Sequence, residues 1–129
     1  MKIAIMGFGV VGSGVGEIVL KNQKGIATKC GENVEIAHIL DLRDFPDSEF
    51  KCFTKDFNDI LSDPEVGIVV ETMGGVNPAY KFTKELLLAG KHVITSNKEL
   101  VAAHGAELLS IAEQKNINYL FEASVGGGI

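Results

Sequence analysis

The sequence is poor in residues that define several protein classes, with no tryptophan, two cysteines and three prolines among 129 residues. Small disulfide-stabilised domains need more cysteines, and neither Cys30 nor Cys52 has a second Cys or a His at metal-ligand spacing. We interpret both as reduced thiols of a cytoplasmic protein. The apolar segment 1–6 is far shorter than a signal peptide or a membrane span, so we expect a soluble chain without a membrane partner.

Positive charge is also scarce, with 12 Lys and Arg against 17 Asp and Glu and a net charge of -5. The basic residues are scattered and form no stripe that could neutralise successive phosphates, so nucleic acid is not expected as a partner. Apolar residues make up 46% and charged residues 22% of the chain, as in ordinary folded proteins. The length corresponds to one domain over residues 1–129.

Short apolar segments alternate with longer segments of helical periodicity. The predicted strands are 3–6, 34–40, 66–70, 92–94 and 118–121. The predicted helices are 10–21, 57–61, 78–89 with Asn77 as N-cap, and 98–116 with Gly105 as a candidate break. This alternation predicts an α/β fold of the Rossmann type, a doubly wound, mostly parallel sheet with helices on both faces. We expect the strand order 3-2-1-4-5, which places strand 66–70 beside strand 34–40.

A glycine motif, Gly7-x-Gly9-x-x-Gly12, lies between the first predicted strand and the first predicted helix. There Gly7 permits a tight turn, Gly9 leaves the backbone amides open to a pyrophosphate, and Gly12 lets the helix approach the strand. The helix N-terminus favours an anion. The alternative is a glycine-rich turn that binds nothing. Gly14 and Gly16 lower the helix propensity of the same segment, and we interpret them as packing contacts.

Two charged residues follow the second predicted strand, where a dinucleotide site needs a group that recognises the adenosine ribose. Asp41 could accept the ribose hydroxyls and would favour NAD. Arg43 could instead bind a 2′-phosphate and would favour NADP. Either residue could also be a solvated charge in a loop, so the choice between the two cofactors stays open.

Polar clusters follow the last three predicted strands, at the sheet edge where α/β folds bind ligands. They are residues 72–75, 95–98 and 122–124. Lys98 is the one positively charged residue in these clusters, and its ammonium could polarise a carbonyl or pass a proton. The equally acceptable interpretation is an exposed lysine that opens a helix with Asn97 as its N-cap.

Three segments together, 7–14, 95–98 and 121–129, resemble the NAD(P)-binding domain of homoserine dehydrogenase. The resemblance implies reversible reduction of L-aspartate 4-semialdehyde to L-homoserine with NADP or NAD, in threonine, methionine and isoleucine biosynthesis. It implies that Phe8, Val10 and Val11 contact the cofactor through their backbone, and that Lys98 is the active-site lysine.

The residues and the resemblance together define two candidate sites. The expected cofactor-binding residues are Gly7, Phe8, Gly9, Val10, Val11, Gly12, Asp41, Arg43, Thr72, Met73, Thr95, Asn97 and Lys98. The resemblance also implies a monovalent cation, usually sodium, held by main-chain oxygens of Glu122, Val125, Gly127 and Ile129.

Members of this family continue beyond the glycine run into a substrate domain. We therefore expect the chain to be a cofactor-binding part with little turnover alone, and the intact enzyme to be a homo-oligomer acting on a small molecule. Two other classes remain open. One is another Rossmann oxidoreductase, such as dihydrodipicolinate reductase or aspartate-semialdehyde dehydrogenase; the latter needs a catalytic Cys, which neither Cys30 nor Cys52 is placed to supply. The second is a nucleotide-sensing Rossmann module without catalysis.

Overall fold

The computed structural model describes residues 1–22 and 33–122. In chain order the elements are β1 (Lys2–Met6), α1 (Val10–Lys21), β2 (Glu35–Leu40), β3 (Phe53–Thr54), α2 (Asn58–Leu61), β4 (Val66–Glu71), α3 (Ala79–Leu88), β5 (His92–Thr95), α4 (Lys98–Gln114) and β6 (Tyr119–Phe121). All neighbouring strands are parallel. The predicted α/β fold is confirmed.

The sheet order is β3-β2-β1-β4-β5-β6, so the predicted position of strand 66–70 is wrong. That strand is β4, and it pairs with β1. The place beside β2 is taken by β3, where Phe53 pairs with Ile39. A two-residue strand is too short to show periodicity, which is why the sequence did not reveal it. Because β2 and β4 lie on opposite sides of β1, the chain reverses its winding there, at the position where such sheets bind ligands.

Adjacent β1 residues reach two separate hydrophobic clusters, as expected for side chains that alternate between the faces of a sheet. Ile3 packs in one cluster with Val19 of α1. Ala4 belongs to the other cluster, together with Leu86 of α3 and Leu108 of α4. Helices therefore cover both faces of the sheet, as predicted.

Two details of the predicted helices are wrong. α3 begins at Ala79 with Pro78 as its N-cap, one residue later than the cap predicted at Asn77. α4 runs unbroken through Gly105, which is buried; a Cβ there would lie 3.2 Å from Cγ1 of Val101. Val101 lies close to this glycine within the helix, which continues past it without a break. Among the described residues, no helix has the length and apolar character needed to cross a membrane.

A buried lysine stabilises the edge of the sheet opposite the predicted site. Lys91 is 6% exposed, and its ammonium donates to the carbonyl oxygens of Asp63 at 2.6 Å and Val66 at 2.9 Å. Burial lowers the pKa of Lys91. The Asp63 carboxylate is also hydrogen-bonded to Nε2 of His38 at 2.8 Å, a His–Asp pair that the sequence did not indicate. These contacts fasten the loop before β4 to β2 and β5.

Candidate cofactor-binding site

The glycine turn between β1 and α1 is tightly packed. Gly7 has a φ of +94°, a left-handed conformation that favours glycine, and its amide donates to the Leu40 carbonyl at 2.8 Å. A Cβ on Gly12 would lie 1.9 Å from the carbonyl oxygen of Gly7. The hydroxyl of Thr72 donates to the carbonyl oxygens of Met6 at 3.0 Å and Gly7 at 2.8 Å. Close approach of helix to strand thus requires glycine at position 12.

The N-terminus of α1 is open towards the sheet edge. Its N-cap is Gly9, which has no side chain to cap the helix, and the first turn contains no acidic residue. A Cβ on Gly9 would meet nothing within 4 Å. The first-turn amides, those of Val10, Val11 and Gly12, have no partner within the helix, and the helix dipole adds positive potential there. This arrangement can bind a phosphate group.

The two glycines further along α1 differ. A Cβ on Gly16 would lie 3.0 Å from the Phe50 ring, so the packing interpretation is correct there. A Cβ on Gly14 would meet nothing within 4 Å, so the packing interpretation is wrong at that position. The sequence could not distinguish them, because the loop that brings Phe50 to α1 has no periodic pattern.

Asp41 lies at the end of β2, beside the glycine turn, as predicted. One carboxylate oxygen accepts the Phe8 amide at 2.9 Å. Arg43 donates its backbone amide at 2.9 Å and its guanidinium in two hydrogen bonds, at 3.0 and 2.9 Å. The guanidinium hydrogen bonds, more than the two amides, hold the pKa of Asp41 well below its usual range, while partial burial opposes them. Asp41 and Arg43, which the sequence analysis linked to different cofactors, thus form an ion pair with each other.

A cleft of about 440 Å³ lies between the glycine turn and the ends of β2 and β4. Its walls combine backbone of the turn with apolar side chains and two cations. The lining residues include Gly7, Gly9, Leu40, Asp41, Arg43, Lys55, Phe57, Thr72, Met73 and Phe82. Lys55 was not predicted, because it follows the unrecognised strand β3. Its ammonium lies 2.9 Å from Asp44.

The Phe8 side chain faces away from this cleft, into an aromatic cluster. Its ring meets those of Phe45, Phe50 and Phe53 edge-on, with centroids 5.0 to 5.8 Å apart. Such contacts fix the loop after β2 against the glycine turn. Because its amide already donates to Asp41, Phe8 positions the turn in this structure.

The ends of β4 and β5 are joined by a buried polar network. Glu71 and Thr95 are fully buried, and Asn97 is 4% exposed. The Thr95 hydroxyl donates to Glu71 at 2.6 Å. Sequence reasoning missed Glu71, although a charged residue directly after an apolar strand was a visible signal. The side chains of Thr95 and Asn97, both predicted to bind cofactor, hydrogen-bond to groups inside the protein.

Lys98 is the first residue of α4 and is exposed to solvent. Asn97 caps the helix, as predicted, by accepting the Leu100 amide at 3.1 Å. A cation at a helix N-terminus is electrostatically unfavourable, so helix stability does not explain this lysine.

The predicted cation site falls mostly outside the described residues, which exclude Val125, Gly127 and Ile129. Glu122 is described, and its amide donates to the Thr95 carbonyl at 2.9 Å, so the chain leaves β6 at the same sheet edge. In residues 1–22 and 33–122, no three His, Cys, Asp or Glu residues are grouped to hold a metal. That finding concerns side chains and leaves the main-chain sodium site a prediction.

Cys52 does not lie at the cofactor edge of the sheet. It precedes β3, and its carbonyl accepts the Ile39 amide at 2.9 Å. Burial raises the pKa of its thiol, which disfavours a nucleophilic thiolate. Cys30 lies outside the described residues.

Comparison with known families matches residues 7–122 to the homoserine dehydrogenase NAD-binding domain. Homoserine dehydrogenase of Pseudomonas aeruginosa is 37% identical over 131 residues, covering all of this chain and 30% of the relative. The enzyme of Lactococcus lactis is 36% identical, again over the whole chain and over 32% of the relative. The chain therefore spans about a third of the length of the relatives it matches.

Solved structures give the same result. A homoserine dehydrogenase from S. aureus, crystallised at pH 6.5, superimposes with a TM-score of 0.87 at 39% identity, over 98% of this chain and 33% of that one. The enzyme from Thiobacillus denitrificans gives a TM-score of 0.88 at 31% identity, over 96% of this chain and 30% of the other. A hyperthermophilic archaeal homoserine dehydrogenase in complex with NADPH shares the fold, with a TM-score of 0.76 at 22% identity. Since the family match covers residues 7–122 and the relatives align over the whole chain, this chain belongs to the NAD-binding domain family of homoserine dehydrogenases.

Proposed function

We propose that this chain binds NADP or NAD in the cleft beside the glycine turn, as the cofactor-binding part of a homoserine dehydrogenase. The observation that carries the proposal is the open, uncapped N-terminus of α1 directly beside a cleft with apolar walls. The first-turn amides would hold the pyrophosphate. A Cβ at position 9 would meet nothing within 4 Å, and the pyrophosphate would lie in that open space.

The two ends of the cofactor would lie on opposite sides of β1. Asp41 and Arg43, after β2, would contact the adenosine ribose or its 2′-phosphate. Thr72 and Met73, after β4, would lie along the remaining half of the molecule. The NADPH bound by the archaeal enzyme is consistent with a site that accepts a phosphorylated ribose.

In the complete enzyme the reaction would be the reversible reduction of L-aspartate 4-semialdehyde to L-homoserine, a step in threonine, methionine and isoleucine biosynthesis. When bound, the nicotinamide cofactor supplies the hydride. Lys98 would place its ammonium near the carbonyl oxygen of the substrate, where it stabilises the developing alkoxide or passes a proton to it. Its exposure at the ligand-binding edge of the sheet supports this role.

The relatives extend beyond the third of their length that this chain matches. The regions that correspond to that additional length would supply the other parts of the enzyme. We assign the substrate pocket and the contacts of a cytoplasmic homo-oligomer to those parts. Sodium would bind through main-chain oxygens of Glu122, Val125, Gly127 and Ile129. Because positioning of the two reactants would need those parts as well, we expect little turnover from residues 1–129 on their own.

Calorimetric titration of this chain with NADH and NADPH tests the proposal. We expect saturable 1:1 binding of at least one cofactor. Gly9→Ala should weaken it about tenfold or more, because the added Cβ occupies the space facing the pyrophosphate. Lys21→Ala, at the other end of α1, is the matched control and should leave the affinity unchanged. Absence of binding, or an equal loss in both variants, would refute the site.

A further inference from the structure

We propose that Glu71 is a positioning residue that orders the two loops beside the nicotinamide half of a bound dinucleotide. The inference rests on the proposed function and identifies which half of the ligand this residue serves. Adenosine contacts lie after β2 and the pyrophosphate site is at α1, so the second half of the ligand extends towards the ends of β4 and β5. Glu71 is the last residue of β4.

The Glu71 carboxylate binds both loops at once. One oxygen accepts the Thr95 hydroxyl at 2.6 Å. The other accepts the Met73 amide at 2.8 Å and faces Nδ2 of Asn97 at 3.5 Å. Met73 lines the cleft. A single fully buried side chain therefore fixes the loop after β4 against the loop after β5.

A second set of contacts continues from Thr95 to the start of α4. The Thr95 hydroxyl oxygen accepts the Asn97 amide at 3.0 Å. Asn97 caps α4 through Leu100, and its Nδ2 donates to the Gly75 carbonyl. The orientation of the first turn of α4, where Lys98 is exposed, thus depends on groups that Glu71 holds.

Stability alone gives little reason for this carboxylate. Burying a charged group is costly, and well-packed apolar residues often serve a core equally well. Glu71 also affects a neighbour: burial and the negative charge of Glu71 raise the pKa of Tyr119 to about 12. The Tyr119 hydroxyl finds no hydrogen-bond partner in the described part of the chain. Hydrogen bonds from the Met73 amide and the Thr95 hydroxyl offset part of that cost, and the same bonds order both loops.

The test compares NADH with ADP-ribose, which contains the adenosine, pyrophosphate and second ribose but lacks the nicotinamide. Thr95→Val removes the hydroxyl that joins Glu71 to Asn97, and Glu71→Gln removes the charge while keeping the shape. Each variant should bind NADH about fivefold or more weakly, the loss expected for a single hydrogen bond or more. Each should bind ADP-ribose with wild-type affinity. A loss of stability alone would lower both affinities together.

Thr83→Val is the matched control. Thr83 is also fully buried, and its hydroxyl has no partner among the described residues. This variant should bind both ligands as the wild type does. Equal losses for NADH and ADP-ribose in Thr95→Val and Glu71→Gln, or no loss for either, would overturn the role of Glu71 while leaving the cofactor site intact. A wild-type chain that binds neither ligand would overturn the proposed function itself.

Discussion

The amide of Phe8 donates to Asp41 across 2.9 Å, joining the glycine turn to the end of β2 over 33 positions of sequence. The Arg43 guanidinium donates to both oxygens of the same carboxylate. The acid is thereby neutralised by a cation that is itself mostly exposed. A group that would otherwise repel a 2′-phosphate becomes part of a pair that can receive one.

Arg43 should determine the affinity for NADPH more than that for NADH. Removing the guanidinium would take away the proposed charge-assisted partner of the 2′-phosphate and would leave Asp41 as a repulsive charge. We expect Arg43→Ala to weaken NADPH binding about tenfold or more and NADH binding by less than about threefold. Calorimetry with both cofactors measures this. Lys81→Ala, an equal change of charge on exposed α3 surface, is the control. Equal losses for both cofactors would remove Arg43 from the phosphate site.

Acid should destabilise the fold through Asp41. Because its pKa is lowered in the folded state, the folded chain binds fewer protons there than the unfolded chain. The stabilisation is therefore complete above about pH 4 and is lost as the pH falls further. Urea unfolding at a series of pH values should show the difference in stability between wild type and Asp41→Asn shrinking below that pH. A difference independent of pH would contradict this.

Glycines 12 and 14 should respond in opposite ways to the same substitution. Gly12→Ala places a methyl group 1.9 Å from the Gly7 carbonyl oxygen, so α1 must move away from the turn. We expect a loss of about 1–3 kcal/mol in the free energy of unfolding. Gly14→Ala meets no atom within 4 Å and should stabilise the chain by up to about 1 kcal/mol. Thermal unfolding distinguishes the two, and destabilisation by both would contradict the different surroundings described for them.

Lys98→Ala should separate stability from catalysis. Removing a cation from the N-terminus of α4 should raise the free energy of unfolding by about 0.3–1 kcal/mol. Cofactor affinity should stay nearly unchanged. In an enzyme as long as the relatives that contains this domain, Lys98→Ala should lower kcat about a hundredfold or more. Unchanged turnover would return Lys98 to the interpretation of an exposed residue that opens a helix.

Short, continuous apolar segments between helical segments, together with the glycine motif, were enough to predict the α/β fold, because parallel strands are buried on both faces. Residues 3–6 and 66–70 are examples, and both form strands. Phe53–Thr54 could not be predicted from two residues, and the strand order was wrong in consequence. Pairings between distant segments carry no local signal.

The residues of the candidate site likewise divide into those with a local sequence signal and those without one. Glycines 7 and 12, Asp41 and the cap at Asn97 were predicted, because each depends on local chemistry at the end of a strand or helix. Lys55 and Glu71 were not, because their roles depend on which loops the sheet brings together. The sequence placed Asp41 and Arg43 in competition, whereas the structure shows that they bind each other.

The hydrogen bonds of Thr72 to the carbonyls of Met6 and Gly7 have a kinetic consequence. The Thr72 hydroxyl is anchored across the strand end, so contacts within the chain itself hold this wall of the cleft in place. An arriving nucleotide would not have to wait for that wall to order. Its capture would be governed by diffusional encounter and by the orientation of the two molecules as they meet.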